Sequence, residues 1–343
     1  MSRTTGLALA AVCFACLLAA PAVPRPAHAL PTPDIERRGR TDAPPRSLRA
    51  ELLLDHDRLR AAGIERPSRL AFDGEGALYV LDARARRVVR LSLPPRAGDP
   101  SRGAATVPAA EAGLGTIFGD DAPASALPHD LVVDARGSLL VLDRSHASLL
   151  AYDRRTAYLG TRDIDLQLAD EARAPEARLL RDPYGDLWLL APRARDLIPL
   201  DSRLLRRRAG RFLTPEESVG SPSAAVFLPE GGGWIADREA GTLRRFDATG
   251  RVGPGIPAGD SLAAEPIDLA ADDSGALYVA DAAGARLLVF GSDGARLHTR
   301  WLGGERHAWR PGAIAWSPDD RIAVADETRG EIWIFTIDRG AAP

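Results

Sequence analysis

The stretch EPIDLAADDSGALYVADAAGARLLVF, Glu265 to Phe290, decides the fold. Ile267, Leu269 and Ala271 alternate with Asp268 and Ala270. Leu277, Val279 and Asp281 alternate with Tyr278 and Ala280, the period-two pattern of short strands. Between the two runs, Asp272-Asp273-Ser274-Gly275 offers an Asp side chain to cap a tight turn and a Gly for a left-handed backbone position, so the strands fold back as a hairpin. After the small loop Ala282-Ala283-Gly284-Ala285, a third strand runs from Leu287 to Phe290.

The pattern recurs six times without gaps in its core. Each second strand ends at a fixed position, held by Asp82, Asp143, Ala191, Asp237, Asp281 and Asp326. Six residues later stand Val88, Leu149, Leu197, Leu243, Leu287 and Ile332, and three further on Leu91, Tyr152, Leu200, Phe246, Phe290 and Phe335. The turn, nine residues before the fixed position, opens with Asp73, Asp134, Asp182, Leu228, Asp272 and Ser317. Steps between copies are 61, 48, 46, 44 and 45 residues. Spacing that is constant inside the unit and variable between units marks a repeat with variable outer loops, each unit needing neighbours to bury its faces.

The copies resemble NHL repeats, most clearly in Leu277-Tyr278-Val279-Ala280-Asp281, Leu78-Tyr79-Val80-Leu81-Asp82 and Gly233-Trp234-Ile235-Ala236-Asp237. The third departs from the pattern, with Ala191-Pro192 where the Asp should stand, and the sixth has Asp319-Asp320-Arg321 where a turn Gly is usual. The resemblance covers about Arg66 to Asp338 and implies an all-β, six-bladed β-propeller of four-stranded antiparallel blades. Outer strands are expected at Tyr158 to Asp165, Leu204 to Phe212 and Arg296 to Leu302. Too little chain follows Phe335 for a fourth strand in the last blade, so Leu52 to Leu54 are expected to pair onto the blade of Trp333 and Phe335 and close the ring. The propeller is placed at residues 47–340. Blade one carries a Pro/Gly/Ala-rich insertion, residues 93–126.

At the start of the chain, the apolar run Gly6 to Ala20 is too short to span a bilayer, and Ala27-His28-Ala29 is an A-x-A site. Residues 1–29 read as a secretory signal and 30–46 as a flexible leader, which points to a periplasmic or secreted protein with no membrane span after cleavage. Both cysteines, Cys13 and Cys16, fall in the signal, so thiol chemistry and Cys-ligated metals are excluded from the mature chain. There is no Lys and no Asn, and the net charge of −3 gives no overall pull toward nucleic acid or an anionic membrane. A monomer is expected.

Candidate ligand-binding residues follow from the position where strand one begins, on the face where the central channel opens. It is held by Arg69, Asp130, Arg178, Ala224, Asp268 and Ala313. The alternation Arg, Asp, Arg is the pattern of mutual neutralisation by ion pairs, or of a polar pocket for a small charged ligand. The resemblance to NHL propellers implies a non-catalytic platform that binds a protein or small ligand at this face, with no cofactor. The alternative is a metal-assisted lyase or hydrolase centred on His129. Pro128-His129-Asp130 resembles a zinc-ligand motif of peptidyl-hydroxyglycine amidating lyases, and His129, His146, Asp130 and Asp143 would be the ligands. That family takes one His from each of three blades, and the aligned positions here are Ser68, Ala177, Ser223, Ile267 and Gly312. The chain is also similar to calcium-dependent lactonases of the senescence-marker type. These use an Asn that is absent here, leaving Asp130 and Asp268 for calcium. Arg203, Arg206, Arg207, Arg208 and Arg211 form the densest basic patch and read as a charged outer edge of blade three.

Overall fold

The structure, a computed structural model, describes residues 47–94, 115–116, 125–201, 203–206, 211–215, 219–259, 264–302 and 309–339. The expected signal and leader, both cysteines, most of the blade-one insertion, Arg207 and Arg208 lie outside these residues. The described chain forms six separate sheets, and the innermost strand of each lies against those of its two neighbours, so the ring closes as a six-bladed β-propeller.

Each repeat copy is one blade. The innermost strands are Arg69–Phe72, Pro128–Val133, Arg178–Arg181, Pro222–Phe227, Pro266–Ala271 and Ala313–Ser317. The turn residues act as their chemistry requires. Asp73, Asp134, Asp182 and Asp272 each accept two backbone N–H groups, from the residues two and four positions on. Gly76, Gly137, Gly185 and Gly275 supply the left-handed residue, with φ between 79° and 88°. In the sixth blade Asp320 takes this conformation itself, at φ 61°.

The aspartates at the fixed position clasp the chain as it enters the innermost strand. Asp82 accepts from the N–H groups of Glu65 and Arg66, Asp143 from Leu127, Asp237 from Gly220 and Ser221, Asp281 from Glu265, and Asp326 from Arg310. All five are essentially fully buried, so each carboxylate is ringed by donors that a side chain of another kind would leave unpaired. Blade three has Ala191 here. Its innermost strand is led in instead by a short helical passage, Leu166–Leu168 and Ala169–Ala172, which buries Leu168, Ala169 and Ala172.

The blades follow the expected four-stranded antiparallel plan, and among the described residues four sheets show four strands, one three and one five. Among the described residues blade three has the strands Arg178–Arg181, Leu187–Ala191 and Asp196–Pro199 and a bridge from Leu200 to Arg206, and the middle of its expected outer strand, residues 207–210, lies outside the described residues. Blade four has five, because Thr214–Pro215 pairs in parallel with Arg251–Pro257. The basic stretch is partly spent locally: Arg206 lies 3.7 Å from the buried Asp196, and Arg211 donates to the Arg195 carbonyl.

Ring closure is as expected, with a longer strand. Ser47–Leu54 runs antiparallel to Glu331–Asp338, pairing Leu52 with Ile334, Leu53 with Trp333 and Leu54 with Ile332. A register shift between Ala50 and Leu52 leaves Glu51 bulged out of the ladder. The core is divided into six slabs, one between each pair of neighbouring blades. Leu142, Leu149, Leu179 and Leu189 fill the slab between blades two and three, and Tyr278, Val289, Ile322 and Phe335 that between five and six. Burying each such side chain contributes roughly 1.5–3 kcal/mol, so the blades stand by their contacts with one another.

Candidate functional site

The positions aligned at the start of strand one are equivalent in space. Arg69, Asp130, Arg178, Ala224, Asp268 and Ala313 each pair with the residue immediately before the fixed position, namely Leu81, Leu142, Leu190, Ala236, Ala280 and Ala325. Two arginines and two aspartates therefore point from one level of the inner ring. The Arg69 Nε stands 3.5 Å from Asp130 Oδ1. Asp130 Oδ2 accepts the Leu179 N–H at 2.6 Å, and Asp268 Oδ2 accepts the Ile314 N–H at 3.0 Å, so each carboxylate reaches across to the next blade. Asp268 Oδ1 also accepts from Leu269 N–H.

Neutralisation at this level is incomplete. Arg178 makes no ion pair among the described residues, and its Nε and Nη1 are buried without a hydrogen-bond partner. Burial pushes the Arg69 guanidinium down to about 10, with Arg178 adding to the shift and Asp130, Asp268 and Glu327 opposing it. Burial raises the carboxyls of Asp130 and Asp268, while Arg178 and Arg69 draw both back down. Four charges in mutual range, Asp130 buried and the other three half-buried, make this a strongly perturbed region of the inner ring.

His129 sits at the edge of this group because of a β-bulge. Pro128 pairs with Asp143 and Asp130 with Leu142, so His129 is skipped by the ladder and its side chain is re-aimed. The same irregularity falls at Ser223 and Ile267 in blades four and five, in each case just after a Pro. Only in blade two does it present an imidazole. The ring is held by the backbone of Pro175, which lacks an N–H and can only accept, while Nε2 is buried with no partner. Burial first, and then the charges of Arg69, Arg178 and Arg144, bring this imidazole down to about 3, so it is neutral at ordinary pH.

The four residues expected as metal ligands do not converge. His146 and Asp143 are joined to each other, Nδ1 to Oδ2 at 2.5 Å, whereas Asp130 is committed to Leu179 and Arg69. Among the described residues no three His, Asp or Glu side chains are grouped as a metal site. Asp130 and Asp268, the pair expected for calcium, each give one oxygen to a backbone N–H of the next blade and feel the charges of Arg178 and Arg69.

The bulge and the partnerless nitrogens were not legible in the sequence. The only signal was Pro128 standing one residue before His129, as Pro222 and Pro266 stand before Ser223 and Ile267.

No protein family and no characterised sequence matches this chain. Solved structures do. A virginiamycin B lyase from Staphylococcus aureus superposes with a TM-score of 0.54 at 11% identity, over 85% of this chain and 99% of its own. A gluconolactonase from Xanthomonas campestris gives 0.52 at 14% identity, over 80% and 86%. Regucalcin from Agrobacterium tumefaciens, a calcium-binding protein, gives 0.55 at 14%, over 80% and 92%. These are fold relatives. At such identities the likeness carries the six-bladed architecture and no more. It nonetheless goes against the expectation of a non-catalytic binding or scaffold module, because the solved counterparts of this ring include a lyase and a lactonase. That expectation is withdrawn. Among the described residues no helix is long and apolar enough to cross a membrane.

Proposed function

We propose that this chain is an enzyme, a lyase or hydrolase that opens an ester or lactone bearing a carboxylate, working at the channel mouth with His129 as proton acceptor. The observation that carries the reading is the set of buried, partnerless nitrogens: His129 Nε2 together with Arg178 Nε and Nη1. Buried polar atoms are nearly always satisfied, and a guanidinium forks naturally onto a carboxylate.

In this reading the substrate carboxylate pairs with Arg178 and Arg69. Pairing offsets the two cations that depress His129, so the bound substrate strengthens the base that acts on it. Nε2 then takes a proton in one of two ways. In an elimination it comes from the carbon next to the one bearing the ester oxygen, as a C=C bond forms and the C–O bond breaks to release the acyl group as a carboxylate. In a hydrolysis it comes from a water that attacks the acyl carbon, after which the ester C–O bond breaks and the leaving alkoxide receives that proton. No step is assigned to a metal, since the carboxylates of the site are committed elsewhere. Support also comes from the fold relatives, one of which is an inactive histidine-to-alanine variant of virginiamycin B lyase solved with quinupristin. The repeats are read as NHL-type blades, and the apolar run Gly6 to Ala20 with the A-x-A site after it supports an exported protein.

The test is turnover of a carboxylate-bearing lactone, glucaro-1,4-lactone, by the full chain in H2¹⁸O, followed by mass spectrometry, with neutral gluconolactone and quinupristin run beside it to read the carboxylate requirement. Ring opening is expected, and is lost in His129→Gln and Arg178→Met. One ¹⁸O in the product marks hydrolysis, and none marks elimination. A protein that turns over none of these and binds no small carboxylate by calorimetry is not this enzyme.

A further inference from the structure

On the loop side of blade two, Ser125, His146 and Asp143 stand in line. Asp143 Oδ2 lies 2.5 Å from His146 Nδ1, and His146 Nε2 lies 3.3 Å from Ser125 Oγ. Asp143 is fully buried, whereas His146 and Ser125 are exposed. Burial pushes the Asp143 carboxyl up. Hydrogen bonds from the Ser145 hydroxyl, His146, and the Leu127 and Ser145 N–H groups outweigh that and hold it below the usual range. It is therefore an anion that accepts a hydrogen bond from His146 Nδ1–H and leaves the Nε2 lone pair facing the serine hydroxyl.

A fourth residue stiffens the arrangement. The Ser145 Oγ lies 2.6 Å from Asp143 Oδ1, 3.0 Å from the Ser125 carbonyl and 2.9 Å from His146 Nδ1. The backbone of Ser125 is thus tied to the same carboxylate that orients the imidazole. The fold does not demand this. At the place of His146 the other blades carry Ala85, Ala194, Ala240, Gly284 and Arg329, and the four of them that have a clasping aspartate use it on backbone N–H groups without an imidazole. No short motif surrounds Ser125, because its distance from His146 is set by the sheet register across 21 residues of chain.

We propose that Ser125, His146 and Asp143 form a nucleophile, base and orienting acid, and that Ser125 accepts an acyl group from an activated or strained ester reaching it from solvent. His146 Nε2 takes the Ser125 proton as Oγ bonds to the acyl carbon. The ester C–O bond breaks, and the leaving alkoxide receives that proton from Nε2. Water then adds to the acyl carbon, giving one proton to Nε2. The Oγ–acyl bond breaks, Ser125 regains its proton, and a carboxylic acid departs. Redox state does not change and no co-reactant beyond water is needed. The site shares no residue with the channel mouth, so it stands whether or not the reading of His129 does.

The test uses a fluorophosphonate probe on the full chain, with the adduct located by peptide mass spectrometry and hydrolysis of 4-nitrophenyl acetate measured alongside. The expected result is one adduct, on Ser125. In Ser125→Ala both signals fall to background, and in His146→Gln the labelling rate falls at least about a hundredfold. Ser145→Ala, which keeps all three groups but removes the hydroxyl that holds them, labels at Ser125 more slowly than the parent and faster than His146→Gln. His129→Gln and Arg178→Met label like the parent, which separates this site from the channel mouth. Thermal melts confirm that each variant is folded. No adduct on the folded parent, an adduct on another residue, or equal labelling in His146→Gln overturns the assignment.

Discussion

Glu51 accepts two hydrogen bonds from Arg321, at 3.1 Å from Nε and 2.7 Å from Nη2, across 270 residues of chain. The Arg321 side chain is only 3% exposed, and the Thr336 hydroxyl donates to the same carboxylate at 2.7 Å. The bulge that takes Glu51 out of the ladder is what aims it at this partner. Glu51→Ala should cost about 2–3 kcal/mol, since it leaves a buried guanidinium with only Asp319 and the Pro94 carbonyl. A thermal melt several degrees below the parent is expected. Deleting residues 47–55 should lower it further, by opening the edge of the last blade, and an unchanged melt would refute the closure role.

His129 makes stability depend on pH. Its folded value of about 3 lies below the ordinary unfolded value of about 6.5, so the unfolded chain binds more protons between those limits. Stability is therefore complete above about 6.5 and falls as the pH drops toward 3. Urea midpoints at pH 7 and pH 4.5 should differ more for the parent than for His129→Gln. Equal differences would show that the imidazole is not held neutral.

Arg178 separates activity from stability. A half-buried guanidinium with two buried, partnerless nitrogens contributes little net stabilisation, and an apolar side chain of similar length is often tolerated or favoured in such a place. Arg178→Met is expected to melt within a few degrees of the parent or above it, while turnover and carboxylate binding are lost. A large fall in the melt would mark Arg178 as structural.

A left-handed residue recurs four positions after the fixed position in every blade: Arg86, Ala147, Arg195, Gly241, Ala285 and Gly330, with φ between 49° and 65°. A non-glycine residue pays about 1 kcal/mol there, offset in part by the greater freedom of Gly in the unfolded chain. Ala285→Gly should therefore gain a few tenths of a kcal/mol. Gly330→Ala should lose about 2 kcal/mol, because a Cβ there would meet the Glu65 carbonyl and His56 Nδ1, each at 2.6 Å. Chemical denaturation of the two variants checks the opposite signs.

The fold was legible because its determinants are local. An Asp that caps its own turn, a Gly three residues on and alternating apolar residues act within about ten residues, so six copies could be aligned and the closing strand deduced from a deficit at Phe335. Blade three was harder. Ala191 marked a departure from the repeat pattern, but Leu166 to Ala172 gave no sign that a helical passage would lead in its innermost strand. The level of Arg69, Asp130, Arg178 and Asp268 was found for the same reason as the fold, since it is one repeat position. Which charges there lack partners was not, because that depends on what lies across the ring. Ser125 was hidden more completely: its meeting with His146 comes from the strand register, which leaves no spacing rule to search for.

Closure by Ser47–Leu54 also fixes an order of events. A ribosome reaches the partner strand Glu331–Asp338 roughly 15 to 55 s after Glu51, at the usual rate of about 5–20 residues per second. Through that interval the earliest strand has no mate, and when the last blade appears it briefly offers an open edge. A second copy's Ser47–Leu54 fits that edge as well as its own does. Crowded synthesis should therefore yield a strand-exchanged pair as its characteristic error, recoverable as a dimer that dilution alone does not dissolve.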